Sequence, residues 1–249
     1  MRKIKRNTIQ EKTNICTETP VDLTVNGKDI VTFMCTPQDL KELAVGHLYI
    51  KGIIDNFEEI NYVAACEEME TINVDVKNEL SESKYSLKEL LASSCGNAID
   101  KEKLKSIEEI HSKIKVNLSK LRFLASKMFA ETVVYKKTGG VHCASIASPK
   151  ELRYLKEDVG RHNAVDKIIG QGVMEKTDFS NSIIFTSGRI SSDMVLKVAK
   201  TGFPIIVSRS IPSDLALKIA KEASITVVGR ISRSEPIIYT YSDRIIEDK

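Results

Sequence analysis

The first third of the chain changes from β-type to helical hydrophobic patterning and back. Apolar and polar positions alternate on both sides of Asn26-Gly27, which predicts a β-hairpin with a tight turn. An apolar stripe at helical spacing follows, and we expect a helix that Thr36 caps and Gly52 ends. Residues 1–80 are therefore predicted to form a small α+β N-terminal domain. Its predicted elements are a hairpin over 21–34, a helix over 36–52, and strands over 60–66 and 71–76.

The patterning weakens in the middle of the chain. Residues 77–94 are polar and weakly patterned, which is typical of a mobile segment, and a small-residue turn at 93–96 closes it. We assign residues 81–118 to a mobile loop with a linker helix. The helices predicted around this region are a charged one over 100–114 and a second over 119–131, capped by Asn117 or Ser119.

From residue 132 onward, short apolar strands alternate with amphipathic helices. This alternation predicts a largely parallel β-sheet that helices cover on both faces. Residues 119–249 are therefore predicted to form an α/β domain. Its predicted strands are 141–147, 152–156, 182–186, 204–207 and 225–228, and its predicted helices are 163–173, 192–200 and 213–223.

Composition and charge narrow the class of function. Of the 249 residues, 42% are hydrophobic, which supports a buried core, and a net charge of +3 is too small to indicate nucleic acid. No apolar run approaches the roughly 20 residues of a membrane helix. The basic N-terminus lacks the apolar core of a secretion signal. We therefore expect a cytoplasmic protein with no nucleic-acid and no membrane partner.

Five cysteines are spread along the chain without a CxxC pair, a pattern that does not suit a secreted disulfide framework. Cys35, Cys66 and Cys143 lie in apolar stretches, where buried and unreactive thiols are expected. Cys95 differs, because it lies in the small-residue turn at 93–96, directly before a predicted helix that could lower its pKa. An accessible, mobile thiolate suits a nucleophile or a sulfur carrier.

Two loops that follow predicted strands have the chemistry of an anion site. Each leads into a helix and supplies hydroxyls, backbone N–H groups and one arginine, Arg189 or Arg209. Ligands of open α/β sheets bind beyond the carboxyl ends of the strands, so one interpretation is a phosphate or pyrophosphate site. Ordinary capped helices with surface arginines are the other. The residues that we place in this site are Ser187, Gly188, Arg189, Ser208, Ser210 and Ser213.

Residues 157–163 form the densest polar cluster of the chain. Asp158 could orient Arg161 or His162, and this pair could hold an anion or poise a proton. A network that only supports the fold is the alternative. His142 and Cys143 are neighbours, but adjacent strand positions point to opposite faces, so we expect no metal site of the protein's own.

In their order along the chain, these segments resemble the FdhD/NarQ family of formate dehydrogenase accessory proteins. The resemblance extends over nearly the whole chain from about Glu18. EDVGRHNAVDK is its most specific stretch. The matching segments are residues 36–54, the turn at 93–96, TGGVH at 138–142, EDVGRHNAVDK at 157–167 and SGRISSDM at 187–194.

The resemblance implies a cytoplasmic sulfur carrier. Cys95 would accept a persulfide sulfur from a cysteine desulfurase of the IscS type. It would pass that sulfur to the molybdenum (or tungsten) bis-guanine-dinucleotide cofactor before the cofactor enters formate dehydrogenase. The resemblance also implies a homodimer and a cytidine-deaminase-like layered fold in the C-terminal domain, without the deaminase zinc site.

The resemblance also gives the polar loops a ligand. The guanine nucleotide part of Mo-bis(molybdopterin guanine dinucleotide) would bind at the two Ser/Arg loops and at Arg161 and His162. By its position in the family pattern, one further stretch belongs to the cofactor site. Its residues are Arg230, Ile231, Ser232, Arg233, Ser234 and Glu235.

The chain departs from the family pattern at the reactive turn, which commonly reads Cys-x-x-Cys-Gly. Cys95 matches the first cysteine, whereas Ala98 stands in place of the second. A persulfide needs one sulfur to hold the terminal one, so transfer through Cys95 is chemically sufficient, and only a step with a resolving thiol loses its support. Two alternatives stay open. One is a chaperone that binds the cofactor without transferring sulfur, and the other is a zinc-dependent nucleotide deaminase or hydrolase.

Overall fold

The computed structural model describes residues 15–77 and 107–247. The reactive turn, with Cys95 and Ala98, lies outside the described residues, as does the first half of the helix predicted over 100–114. The second half of that helix is wrong, because residues 107–115 have no helical structure. Ile110 and Ile114 are instead buried, and the Ile110 N–H donates to the carbonyl of Ala223 at 3.0 Å.

The N-terminal part is a four-stranded sheet packed on one helix. The hairpin prediction is confirmed, since β1 and β2 pair antiparallel around Asn26 and Gly27, both at positive φ. The spatial order of the strands is β2-β1-β4-β3. The elements are β1 (Thr19–Val25), β2 (Lys28–Cys35), α1 (Leu40–Ile50), a 3-10 turn (Phe57–Glu59), β3 (Ile60–Cys66) and β4 (Thr71–Val76).

Helix α1 begins later than its sequence predicts. Its first residue is Leu40, and Thr36 does not cap it. Thr36 instead joins this part of the chain to the end of β7 (Leu152–Asp158): its N–H donates to Asp158 Oδ2 at 3.1 Å, and its Oγ1 accepts the N–H of Val159 at 3.1 Å. The predicted C-terminus is confirmed, because Gly52 takes a positive φ of 67° just after the helix.

A six-stranded sheet forms the rest of the fold, in the order β11-β10-β9-β8-β6-β7. Four strands run in one direction, but β6 lies between β7 and β8 and is antiparallel to both. The prediction of a largely parallel sheet is therefore wrong for three of its five pairings, since β10 and β11 also pair antiparallel. The strands are β6 (His142–Ala147), β7, β8 (Ile183–Thr186), β9 (Ile205–Ser208), β10 (Thr226–Gly229) and β11 (Ile237–Thr240).

Helices cover both faces of this sheet, as predicted. Buried side chains of α1, α4, α5 and α6 share one core with the four-stranded sheet, and α2 packs on the opposite face. The helices are α2 (Leu118–Glu131), α3 (Val134–Thr138), α4 (Arg161–Met174), α5 (Ser192–Thr201) and α6 (Asp214–Glu222). Two short strands, β5 (Val116–Asn117) and β12 (Ile245–Ile246), pair with each other, and 3-10 turns occupy Phe179–Asn181 and Ser242–Arg244.

Two glycines bring α1 and α4 into backbone contact. A Cβ on Gly46 would lie 1.8 Å from the carbonyl oxygen of Asp166, and one on Gly170 would lie 1.9 Å from that of Glu42. Side chains larger than hydrogen would separate the helices. This crossing fixes the four-stranded sheet against the six-stranded one, while the predicted domain boundaries at 80 and 118 stay predictions.

Within the described ranges, no helix combines the length and the apolar character needed to cross a bilayer.

Candidate functional site

One edge of the six-stranded sheet gathers the polar loops that the sequence analysis singled out. The strands β7, β8, β9 and β10 end here, at Asp158, Thr186, Ser208 and Gly229. Strand β6 begins here, because His142 pairs with Asp158. Helices α4, α5 and α6 start directly beyond these strand ends. We call this region the strand-end edge; it comprises the start of β6 and residues 159–162, 187–192, 209–213 and 230–235.

The two predicted Ser/Arg loops lie side by side at the strand-end edge. Ile190 and Pro212 form a parallel bridge. The N–H of Ile190 donates to the carbonyl of Ile211 at 3.2 Å, and the N–H of Ser213 donates to that of Ile190 at 3.0 Å. The structure therefore brings together the loops that the sequence placed after separate strands.

Serine hydroxyls hold these loops in shape. Ser208 Oγ donates to the carbonyl of Gly188 at 2.5 Å and accepts the N–H of Ser210 at 2.9 Å. Ser213 Oγ accepts the N–H of Ala216 at 3.2 Å and caps α6. The Ser208 proton is therefore used within the loops, whereas Ser213 Oγ accepts a hydrogen bond and keeps its own O–H as a donor for a ligand.

The segment 230–235 lies beside the same loops. The N–H of Arg230 donates to Ser210 O at 2.9 Å, and the N–H of Ile231 donates to Ser208 O at 3.1 Å. Arg230 is exposed with φ 54°, whereas the Ile231 side chain is buried in the core on the α2 face. Ser232, Arg233, Ser234 and Glu235 are exposed.

Ser187 pairs with a histidine that the sequence analysis had considered only as a metal ligand. Its Oγ accepts the N–H of Cys143 at 3.0 Å and lies 3.1 Å from Nδ1 of His142. Burial lowers the pKa of His142, and the charge of Arg161 lowers it further. The ring is therefore neutral near pH 7, and the Ser187 hydroxyl can donate to Nδ1, which leaves Nε2 as the protonated nitrogen. This arrangement presents an uncharged donor at the strand-end edge.

Arg161 is the first residue of α4, and its side chain packs against Gly188 in the loop after β8. A Cβ on Gly188 would lie 3.0 Å from Arg161 Cβ and 3.1 Å from its Cδ, so a larger residue there would crowd the Arg161 side chain. Arg161 Nε is buried and has no hydrogen-bond partner among the described residues. A buried guanidinium nitrogen without a partner is costly, and an anionic ligand would satisfy it.

His162, the next residue, is held neutral by its surroundings. Burial lowers its pKa from the usual 6.5 to about 4, and the nearby charges of Lys197 and Arg161 act in the same direction. Asp166 opposes them. His162 is therefore an uncharged ring beside positive groups at physiological pH.

The low pKa of His162 predicts a loss of stability in mild acid. The unfolded chain binds the proton near pH 6.5 and the folded chain only near pH 4, so the free energy of unfolding should fall as the pH drops through this window. His162→Gln should make that fall shallower, as measured by urea unfolding at several pH values. His111→Gln, at an exposed position, is the matched control. An unchanged pH dependence in His162→Gln would contradict the prediction.

Much of the segment 157–167 supports the fold. Asp158 and Lys167 form a fully buried ion pair at 2.6 Å. Asp158 Oδ1 also accepts the N–H of Gly160 at 2.8 Å, and Lys167 Nζ donates to the carbonyl of Thr36 at 2.9 Å. Asp158 therefore holds Lys167 and the main chain, and it does not orient Arg161 or His162 by a hydrogen bond. The interpretation of a network that supports the fold is therefore confirmed for Asp158 and Lys167, and an anion-binding role of Arg161 and His162 stays a prediction.

A second buried network joins three helices. Asp166 on α4 forms an ion pair with Lys197 on α5, and its carboxylate lies 3.9 Å from Nδ1 of His47 on α1. Burial lowers the pKa of His47, although the nearby carboxylate of Asp166 acts in the opposite direction, so the ring faces that carboxylate as a neutral group. These contacts also belong to the fold, and neither Arg161 nor His162 takes part in them.

The arginines of the strand-end edge have no acidic partners. Among residues 15–77 and 107–247, lysine is the cation of each ion pair, His47 faces Asp166 as a neutral ring, and no arginine lies within 4.0 Å of a carboxylate. The edge therefore carries positive charge that the fold does not neutralise, a property suited to a ligand with several phosphates. The arginines concerned are Arg161, Arg189, Arg209, Arg230 and Arg233.

The sequence of this chain matches the model of one known family over nearly its whole length. The model of the FdhD/NarQ family matches residues 16–246. The chain belongs to the FdhD/NarQ family.

Individual relatives of this FdhD/NarQ chain agree with the family match. It is 34% identical over 253 residues to the sulfur carrier protein FdhD of Listeria innocua, covering 98% of this chain and 97% of that protein. It is 33% identical over 235 residues to the protein of the same name from Bacillus subtilis, covering 93% and 90%. A crystal structure of a putative formate dehydrogenase accessory protein from Desulfotalea psychrophila superposes with a TM-score of 0.77 at 31% identity, covering 92% and 90% of the two chains.

The described thiols of this FdhD/NarQ chain differ in exposure. Cys35 and Cys143 are buried, as predicted, and burial raises the pKa of each to about 12, so both are protonated and unreactive. The prediction for Cys66 is wrong, because this thiol at the end of β3 is partly exposed. Cys16 is also partly exposed, and its Sγ lies 3.4 Å from the carbonyl oxygen of Gly140.

No three His, Cys, Asp or Glu side chains in the described part of the chain come together in a way that could hold a metal ion.

Proposed function

We propose that this FdhD/NarQ chain carries persulfide sulfur on Cys95 from a cysteine desulfurase to the molybdenum or tungsten bis-guanine-dinucleotide cofactor. The cofactor, as the protein's substrate, binds at the strand-end edge before its insertion into formate dehydrogenase. The observation that carries the cofactor part is the set of edge arginines without acidic partners. The names of the relatives support the sulfur and formate dehydrogenase parts.

The chemistry of the edge fits the nucleotide arms of this substrate. Each guanine nucleotide arm carries phosphates, and an arginine can bind two phosphate oxygens at once. Arg161 contributes a buried Nε without a partner, and Arg189 contributes an exposed side chain from the adjoining loop. The neutral rings of His142 and His162 add hydrogen-bonding groups without adding charge.

The wider setting is part of the same proposal. The protein acts in the cytoplasm as a homodimer and exchanges sulfur with a desulfurase of the IscS type. We also propose that the six-stranded sheet with its covering helices corresponds to a cytidine-deaminase-like domain; an α/β sheet covered on both faces is consistent with this. Members of that fold class bind nucleotides, which is consistent with a guanine nucleotide at the strand ends.

Guanosine diphosphate binding tests the cofactor part. Calorimetric titration should show saturable binding, and Arg161→Gln or Arg189→Gln should each weaken it about 10-fold or more, the effect of losing a hydrogen-bonded charge on phosphate. Arg153→Gln is the matched control, because this exposed arginine lies near the start of β7, away from the strand-end edge. Equal affinities in all four proteins would contradict binding at this edge.

A further inference from the structure

Arg209 is exposed, yet two neighbours fix the direction of its side chain. Its Nη1 donates to the hydroxyl of Tyr135 at 2.5 Å. Its guanidinium carbon lies 5.4 Å from the centre of the Phe129 ring, within the range of a cation–π contact. An exposed arginine ordinarily samples many rotamers, so this double contact organises the group in advance of any ligand.

The main chain at Tyr135 is itself held in place by Glu157. The carboxylate of Glu157, near the end of β7, accepts the N–H groups of Val133, Val134 and Tyr135 at 2.8, 3.0 and 2.6 Å. These bonds fix the first turn of α3. The ring of Tyr135 also packs on Phe129, with the ring centres 5.8 Å apart. A chain of contacts therefore runs from Glu157, near the end of β7, through Tyr135 to Arg209 at the strand-end edge.

The hydrogen-bond partner of Arg209 is the neutral hydroxyl of Tyr135, which leaves the positive charge of the guanidinium available. A carboxylate in the position of the Tyr135 hydroxyl would orient the guanidinium and also neutralise it. A neutral hydroxyl orients the group and leaves the positive charge for another partner. A guanidinium has five N–H donors, and the described residues give Arg209 only the one side-chain hydrogen bond to Tyr135.

We propose that Tyr135 is a positioning residue, which orients Arg209 to bind a phosphate of the guanine nucleotide at the strand-end edge. This inference rests on the proposed binding of that nucleotide. It adds Tyr135, Phe129 and Glu157 to the residues that determine affinity, although none of them touches the nucleotide. Lysine could not replace Arg209 fully, because a single ammonium group cannot stack on Phe129 and donate to Tyr135 and phosphate with the same planar geometry.

The test is a double-mutant cycle on the affinity for guanosine diphosphate. Tyr135→Phe, which removes only the hydroxyl, should raise the Kd about 3- to 10-fold, the effect of one hydrogen bond to a charged group. Arg209→Ala should raise it more, and adding Tyr135→Phe to Arg209→Ala should change it by less than about 2-fold, because the hydroxyl then has nothing to orient. Arg209→Lys should also weaken binding. Tyr62→Phe, at an exposed tyrosine of β3, is the matched control and should bind as the wild type does.

The outcomes separate this inference from the proposed function. If the wild type binds and Arg161→Gln weakens binding while Tyr135→Phe does not, the positioning role is wrong and the nucleotide site stands. If Tyr135→Phe weakens binding equally with and without Arg209, the tyrosine acts through the fold and the inference is overturned. If the wild type shows no saturable binding, the nucleotide site and the inference both fail.

Discussion

Cells that lack their own copy of this protein and receive the Cys95→Ala variant are expected to make formate dehydrogenase that has no activity. The reason is chemical: a persulfide needs a thiol to hold the transferred sulfur, and alanine has none. Ala98 removes the neighbouring cysteine that is common in the family, so no second thiol of the turn can take over. The expected loss is complete. Formate dehydrogenase activity in cell extracts, with the enzyme's amount checked by immunoblot, measures it.

Cys66→Ala is the matched control for this experiment. Cys66 is a partly exposed thiol of β3, and its replacement should leave the activity unchanged. Retained activity in Cys95→Ala would favour the alternative of a chaperone that binds the cofactor without transferring sulfur. Loss of activity in both variants would indicate that thiols outside the reactive turn are required.

Lys167→Met should destabilise the protein by about 3–5 kcal/mol, because it leaves the carboxylate of Asp158 buried without its cation. Both side chains are fully buried, and Asp158 has no solvent to replace the lost partner. The substitution also removes the hydrogen bond from Lys167 Nζ to the carbonyl of Thr36, which should loosen the junction between the two sheets. Urea unfolding followed by circular dichroism measures the change in the free energy of unfolding.

Lys176→Met is the matched control for the buried pair. Lys176 forms an ion pair with Glu58 in which both side chains are mostly exposed, so its replacement should cost far less stability than Lys167→Met. If Lys167→Met lowers the free energy of unfolding by less than about 1 kcal/mol, the carboxylate of Asp158 is not left buried without a cation, and the prediction is wrong.

The strands were predictable where the local pattern determines them. The predicted strands at 60–66 and 71–76 match β3 and β4 residue for residue, and Asn26-Gly27 fixed the hairpin through turn geometry. Strand neighbours were less predictable. The insertion of β6 between β7 and β8 depends on long-range packing, which alternation of strands and helices does not specify.

The helical errors share a cause, which is tertiary contact overriding a local preference. Thr36-Pro37 has the composition of a helix start, but Thr36 is used to bind Asp158 and Val159 across 122 and 123 residues of sequence. The charged stretch 107–114 has helical composition, but it forms no helix, and Ile110 and Ile114 are buried against other parts of the fold. Neither contact can be read from neighbouring residues.

The candidate site was predictable in place and less so in detail. Strand-to-helix loops with arginines indicated the edge, because strands that run the same way end together. Which hydroxyls can still donate to a ligand could not be predicted: Ser208 Oγ donates to a main-chain carbonyl, whereas Ser213 Oγ only accepts a main-chain N–H. No sequence signal linked Tyr135 to Arg209, because their contact joins residues 74 positions apart.

The most direct test of the sulfur-carrier function is the intact mass of the protein after incubation with a cysteine desulfurase and cysteine. The wild type and Cys66→Ala should each gain the mass of one sulfur atom, and treatment with a reductant should remove it. Cys95→Ala should gain none. An undiminished sulfur adduct on Cys95→Ala would contradict the assignment of the carrier thiol.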